Sequence, residues 1–200
     1  MMKIGVLALQ GAFIEHIKML RGIGVEAVEV RLPQDLQDLD GLIIPGGEST
    51  TIGKLAVMYD LMEPLRQFAA EKAMWGTCAG MIFMAKEIGN GSAGRDQPLL
   101  GIMDIEVERN AFGRQVDSFE TGLNVAVFHN GNGSPFPAVF IRAPRLVAAK
   151  GKARVIATLD DGTAVAAQQG KWLVTSFHPE LTHDARFHQY FLQLVAGSDR

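Results

Sequence analysis

The 200-residue chain is 48% hydrophobic and 20% charged, with a formal net charge of -3. This composition supplies one sizeable core and excludes a disordered chain, and the charge balance gives no reason to expect nucleic acid or an anionic membrane as a partner. A single cysteine excludes an internal disulfide. The N-terminal apolar run lacks a signal-peptide cleavage site and is too short to span a bilayer, so a reducing, cytoplasmic setting is expected.

Residues 3–9 are continuously apolar after the lysine, as in a strand covered on both faces of a parallel sheet. A helix is expected over 12–20, where Phe13, Ile17 and Leu20 recur at helical spacing. Gly22 and Gly24 end it before a strand at 25–30. The next strand, 42–44, enters the loop Pro45-Gly46-Gly47-Glu48-Ser49, followed by helices over 51–57 and 61–72. A strand at 73–76 then meets Thr77-Cys78-Ala79-Gly80 before a helix over 81–88. Beyond Asn90 the pattern shortens to β-like stretches at 102–108, 123–128, 139–141, 154–158, 164–168 and 172–177, with a surface loop at 130–137 and a closing helix over 184–195. Alternation of strand and helix, then β-rich extensions and a final helix, predicts a single α/β domain over residues 1–200, a three-layer sandwich around a mostly parallel sheet.

Cys78 sits where an apolar strand turns abruptly into a helix, flanked by the small residues that a strained elbow requires. The helix N-terminus behind it favours the thiolate and offers N–H groups to an oxyanion. An arbitrary lone cysteine is more often a buried small hydrophobe, but the elbow reverses that preference. Ser176-Phe177-His178-Pro179-Glu180 follows another apolar strand. Extended chain has period two, so His178 and Glu180 are expected on one face, and Pro179 keeps His178 extended. Glu180 can then accept from one ring nitrogen while the other faces Cys78. These residues alone suit a cysteine protease as well as an amidase. His16, His129, His183 and His188 show no metal-ligand spacing, so no metal site is expected.

The segments Pro45 to Thr50 (PGGEST), Gly76 to Gly80 (GTCAG) and Ser176 to Glu180 (SFHPE), in this order, resemble the class I, triad-type glutamine amidotransferases. LALQGAFIEH from Leu7, VERNAFGRQVDSFE from Val107 and FIRAP from Phe140 are similar to the glutaminase subunits of pyridoxal 5'-phosphate synthase. The resemblance implies a flavodoxin-like fold and hydrolysis of L-glutamine by Cys78, His178 and Glu180. The ammonia would pass to a separate synthase subunit in a hetero-oligomer, with no cofactor of the chain's own. It also implies a glutamine site formed by Gly47, Glu48, Ser49, Arg109, Ile141 and Arg142, and an oxyanion site at the backbone amides of Gly47 and Ala79. An arginine suits the substrate α-carboxylate and Glu48 an ammonium group. In this family the synthase is expected to complete the oxyanion hole, and Gln10, Gly11 and the PGGEST loop are the expected contact points because such loops emerge at the active-site edge of a parallel sheet. The segment from His129 to Val139 is longer than the family's usual connection.

Overall fold

The computed structural model describes residues 2–89, 97–109, 118–128 and 133–197. Strand β1 (Lys3–Leu7) is buried from Ile4 onward and leads into α1 (Phe13–Gly22), whose inward face carries His16, Ile17 and Leu20. That helix returns the chain to β2 (Glu26–Val30), which runs parallel to β1 with Glu26 opposite Lys3. The pattern repeats with β3 (Gly41–Ile44), α2 (Ser49–Met58), α3 (Met62–Glu71), β4 (Ala73–Thr77) and the short α4 (Ala79–Met84). The β-rich part comprises β5 (Ala85–Ile88), β6 (Met103–Glu108), β7 (Ser118–Leu123), β8 (Phe136–Ile141), β9 (Arg145–Ala149), β10 (Arg154–Thr158), β11 (Ala164–Gln169) and β12 (Trp172–Thr175). Helix α5 (Arg186–Val195) closes the chain.

Across the main sheet the strands lie in the order β2-β1-β3-β4-β12-β11-β9-β6-β5, with β10 added at β11, while β7 and β8 form a separate antiparallel pair. The first five are mutually parallel, which is the flavodoxin-like order expected from the sequence. Adjacent residues of a buried strand face opposite sides. Leu42, Ile44 and Met74 therefore pack against Ile52 of α2, Leu65 of α3 and Phe83 of α4, whereas Ile43 and Trp75 meet Ile17 of α1 and Phe187 and Phe191 of α5. Two apolar faces, each covered by helices, make the three layers. This arrangement carries the loops at the C-terminal ends of β1, β3, β4 and β12 to one edge, where ligands bind in open α/β sheets.

Several expectations change. The helix expected over 81–88 stops at Met84, and Ala85–Ile88 is instead a strand parallel to β6. Met81, Met84 and Ile88 have helical spacing, but Phe83 and Met84 give their carbonyls to Leu100 and Ile102, and the sheet edge captures the four residues after Met84. The strand expected at 123–128 is displaced: β7 ends at Leu123 and only Val125 bridges to Ala157. Strand β9, which joins β6 to β11, has no counterpart in the expected pattern. Of the loop expected at 130–137, Phe136 and Pro137 belong to β8, while residues 130–132, His129 and residues 110–117 of the VERNAFGRQVDSFE segment lie outside the described residues. Among the described residues no helix is long and apolar enough to cross a membrane.

Candidate active site

Between the last residue of β4 and the first of α4 stands Cys78, alone in making the turn, at φ 49° and ψ -106°. For a residue with a Cβ this conformation costs on the order of 1–3 kcal/mol and persists only where its surroundings enforce it. Here the Cys78 N–H donates to Thr175 O on β12 at 2.8 Å, and the Cys78 carbonyl accepts from Met81 N–H at 3.0 Å. Close packing beneath the elbow explains its small residues. A Cβ on Gly80 would lie 2.1 Å from the carbonyl oxygen of Ile44, so α4 can rest on the end of β3 only with glycine there. The thiol faces the Ile141 carbonyl at 4.0 Å.

His178 follows β12 and its N–H donates to Val139 O of β8 at 2.8 Å. The chain does not continue extended, as the sequence led us to expect. Pro179–Leu181 form a single 3-10 turn, for which Pro179 supplies a preset first residue. Glu180 meets His178 because the turn folds it back, with Nδ1 of His178 2.7 Å from Oε1 of Glu180. The other ring nitrogen is left for Cys78, whose thiol lines the same cavity as the ring. Burial pulls the His178 pKa down, but the neighbouring Cys78 side chain, the Glu180 hydrogen bond and the charges of both groups outweigh it and raise the value to about 10. Burial pushes Glu180 up, yet the attraction of the facing imidazoles and the His178 hydrogen bond leave it below the ordinary carboxylate value. The resting pair at neutral pH is an imidazolium on a carboxylate.

Space around the ring is tight. A Cβ on Gly46 would stand 2.4 Å from Cε1 of His178 and 3.2 Å from Cβ of Cys78. Gly46→Ala should therefore push the imidazole off its partners and lower kcat of the reaction at Cys78 by about 100-fold, with KM changed far less. Steady-state kinetics on the folded variant check this, and an unchanged kcat would show that the ring has room to move.

The thiol opens into a cavity of about 410 Å³ whose walls include Cys78, Ala79 and His178. All six residues expected at the glutamine site line the same space: Gly47, Glu48, Ser49, Arg109, Ile141 and Arg142. A volume of this order suits one small ligand. Arg109, at the far end of β6, hydrogen-bonds Glu48 Oε1 at 3.0 Å, Thr50 Oγ1 at 3.1 Å and Gln97 Oε1 at 2.9 Å. Glu48 caps α2 by accepting from the N–H groups of Thr50 and Thr51 at 2.9 and 2.7 Å, and from Thr51 Oγ1 at 2.6 Å. Burial is the largest single influence and disfavours its charge, but the Thr50 and Thr51 donors together outweigh it and hold its pKa down to about 2. The carboxylate of Glu48 is thus engaged with a helix end and an arginine, and Ser49 points its hydroxyl inward to Gln97 at 3.2 Å. Arg142 takes a left-handed φ of 42° as the chain leaves β8.

The glycine loop is fixed on both sides. Ala12 N–H donates to Gly46 O at 3.0 Å, and Glu48 N–H donates to Oε1 of Gln10 at 2.7 Å. The loop after β1 therefore sets the orientation of the peptides around Gly47, while Ala79, the first residue of α4, lines the same cavity.

Some of the surroundings were not legible in the sequence. Gln97, in a stretch without pattern, accepts from Ser49, Thr50 and Arg109 behind the cavity. His16 and His188 lie buried behind Glu180, and only the packing of α1 and α5 brings them there. A larger cleft of about 700 Å³ between β8 and the start of α5 is lined by Thr182, His183 and Asp184 but has neither the cysteine nor the histidine-carboxylate pair of the smaller cavity. Among the described residues no three His, Cys, Asp or Glu side chains are grouped to hold a metal ion.

A flavodoxin-like sheet with a cysteine elbow after its fourth parallel strand and a histidine-carboxylate pair after its fifth is the arrangement of the class I glutamine amidotransferases. The chain belongs to the SNO glutamine amidotransferase family, whose pattern it matches over residues 6–196. It is 61% identical to the pyridoxal 5'-phosphate synthase subunit PdxT of Herpetosiphon aurantiacus over 194 residues, 96% of this chain and 100% of that protein. A solved structure of a glutamine amidotransferase superposes with a TM-score of 0.89 at 49% identity, covering 96% of this chain and 98% of the other. PurLQS of Thermotoga maritima, at 15% identity and a TM-score of 0.71 over 100% of this chain and 99% of the other, shares the fold.

Proposed function

We propose that the chain is the glutaminase subunit of a pyridoxal 5'-phosphate synthase. It hydrolyses L-glutamine to L-glutamate and ammonia and passes the ammonia to the synthase subunit with which it forms a hetero-oligomer in the cytoplasm. The observation that carries this reading is Cys78 and His178 on the wall of one cavity with Glu180 2.7 Å from the ring, in a chain similar end to end to a pyridoxal 5'-phosphate synthase subunit. The whole chain acts as one amidotransferase domain. It needs no prosthetic group, and neither nucleic acid nor a membrane takes part.

The Cys78 thiolate attacks the side-chain carbonyl carbon of glutamine, and the resulting oxyanion rests on the N–H groups of Gly47 and Ala79. His178, charged at rest, gives its proton to the departing nitrogen, and ammonia leaves a thioester on Cys78. The now neutral ring takes a proton from water, whose oxygen attacks the thioester through a second oxyanion. Collapse releases glutamate and restores the thiolate-imidazolium pair. Arg109 and Arg142 supply positive charge for the substrate α-carboxylate, and the ion pair with Glu48 keeps Arg109 placed between substrates. Gly47, Ser49 and Ile141 complete the wall against which the substrate chain lies.

The Gly47 donor is set by contacts from Gln10 and Ala12, on a loop that a partner can reach at the sheet edge. Docking of the synthase should therefore change the oxyanion site more than substrate binding. Each donor of this kind is worth on the order of 10²–10³ in kcat. Glutamate release by the purified chain should rise about 100-fold or more when the synthase subunit is added, with a small change in KM. Equal rates with and without it would contradict the partner-dependent reading.

A further inference from the structure

His16 is a buried titratable side chain that the mechanism above does not use. It lies on the inward face of α1 with no exposed surface, its Nε2 3.4 Å from Oε2 of Glu180 and 3.3 Å from Oγ1 of Thr77, the residue before the nucleophile. On its other side Nδ1 stands 2.9 Å from Nε2 of His188, an equally buried residue of α5. Both rings meet Trp75 edge to face, with centroids 5.5 and 4.9 Å away. Burial holds both imidazoles below their ordinary pKa, most strongly His188, so both are neutral at neutral pH. The contact with Glu180 is then a neutral N–H facing a carboxylate.

Hydrogen-bond accounting assigns the tautomers. Nδ1 of His188 is buried and without a partner, and an unmatched lone pair there costs less than an unmatched N–H. His188 accordingly carries its proton on Nε2 and donates to Nδ1 of His16. The His16 proton is left on Nε2, where it is given to Oγ1 of Thr77 at 3.3 Å and lies beside Oε2 of Glu180 at 3.4 Å, a buried oxygen that no hydrogen bond reaches. A directed chain results. His188 donates to His16, the Nε2–H of His16 faces Oε2 of Glu180 at 3.4 Å, an oxygen with no hydrogen bond of its own, and His178 donates to Oε1 at 2.7 Å. The titratable groups facing this carboxylate are His178 and, opposite it, His16 on α1, with His188 on α5 behind and Glu15 next along α1.

We propose that His16 is a positioning residue of the amidase centre: its Nε2–H holds the second oxygen of Glu180, so that the first stays aligned on His178, and His188 locks the required tautomer of His16. The proposal rests on the assignment of Glu180 as the orienting partner of His178. It also joins the machinery to the loop of Gln10, Gly11 and Ala12, because His16 stands one turn into the helix which that loop begins.

The test compares His16→Phe, which keeps an aromatic filler, with His16→Gln, which restores an N–H near Nε2, each in the presence of the synthase subunit. Outer groups that orient a site residue typically matter by about 10–100-fold. His16→Phe should lower kcat by about that factor with KM within about 3-fold, and His16→Gln should recover most of the loss. Cys78 is the sole cysteine, so iodoacetamide uptake reads its thiolate directly. In His16→Phe the acid limb of the alkylation profile should move to higher pH, because a carboxylate that loses a donor protonates sooner. Should His16→Phe fail to fold, His188→Leu serves, with a kcat loss of about 3–10-fold expected from the freed tautomer. Wild-type kcat and alkylation profile in His16→Phe, or in His188→Leu where that variant is used, or equal losses in the Phe and Gln variants of His16, would overturn the proposal. Glu180→Gln is measured alongside. If that variant were fully active, the assignment of Glu180 itself would fall, whereas an inactive Glu180→Gln beside a fully active His16→Phe removes only the role of His16.

Discussion

Cys78→Ala is expected to lower glutamate release by at least about 10³-fold while leaving the fold and synthase binding in place. Loss of a nucleophile removes the covalent route altogether, and what remains is slow hydrolysis assisted by binding and oxyanion donors. Folding survives for a reason visible in the backbone. Cys78 holds φ 49°, a strained conformation for any side chain, and alanine adopts it at no greater cost than cysteine. The elbow's hydrogen bonds run through the Cys78 backbone to Thr175 and Met81 and do not involve sulfur. Circular dichroism and co-purification with the synthase subunit check the fold, and a coupled glutamate assay checks the activity.

The second large effect is expected at Glu180. In Glu180→Gln an amide replaces a carboxylate wedged between two imidazoles, 2.7 Å from one and 3.4 Å from the other. If the amide nitrogen turns to His178, the ring must present a lone pair at Nδ1 and carry its proton on the nitrogen facing Cys78, the wrong tautomer for a base. Turned the other way, the amide nitrogen confronts the N–H of His16. Loss of the corresponding orienting acid in a Ser-His-Asp centre lowers kcat about 10⁴-fold, and an effect of that order is expected here. The pH dependence of stability should change with it. Glu180 is depressed in the folded state, so its contribution is present above its unfolded value of 4.5 and lost as pH falls through the lower folded value. His178 is raised, so its contribution is complete below 6.5 and lost as pH rises through about 10. Wild type should exceed Glu180→Gln in stability most between about pH 4.5 and 6.5 and progressively less on either side, as read by urea melts across pH. A gap that is flat with pH would mean that the ion pair adds nothing to folding.

The nucleophile and the parallel sheet were legible because both are written locally. A run such as Ala73–Thr77 followed by Cys78, Ala79 and Gly80 leaves few conformations open, and the structure shows why Gly80 must be glycine at the end of β3. Long-range competition decided the features that were not. The residues Ala85–Ile88 have a passable helical spacing, and only the presence of β6 makes them a strand. His178 and Glu180 were rightly paired through the wrong geometry, since a 3-10 turn brings them together where alternation along a strand had been expected. His16 and His188 are 172 positions apart, and no spacing rule relates them to each other or to Glu180. Their meeting depends on α1 and α5 covering the same face of the sheet. Glu48 shows another kind of gap: its type suggested an ammonium contact, while its place at the head of α2 gives it a cap to hold.

The most direct test of the central claim is the intact mass and peptide map of the complex with the synthase subunit after treatment with 6-diazo-5-oxo-norleucine, a glutamine-like electrophile. One adduct on this chain is expected, on Cys78, formed in step with loss of glutaminase activity, slowed by L-glutamine and absent from Cys78→Ala. Inactivation without modification of Cys78, or full glutaminase activity in a chain modified there, would contradict that claim.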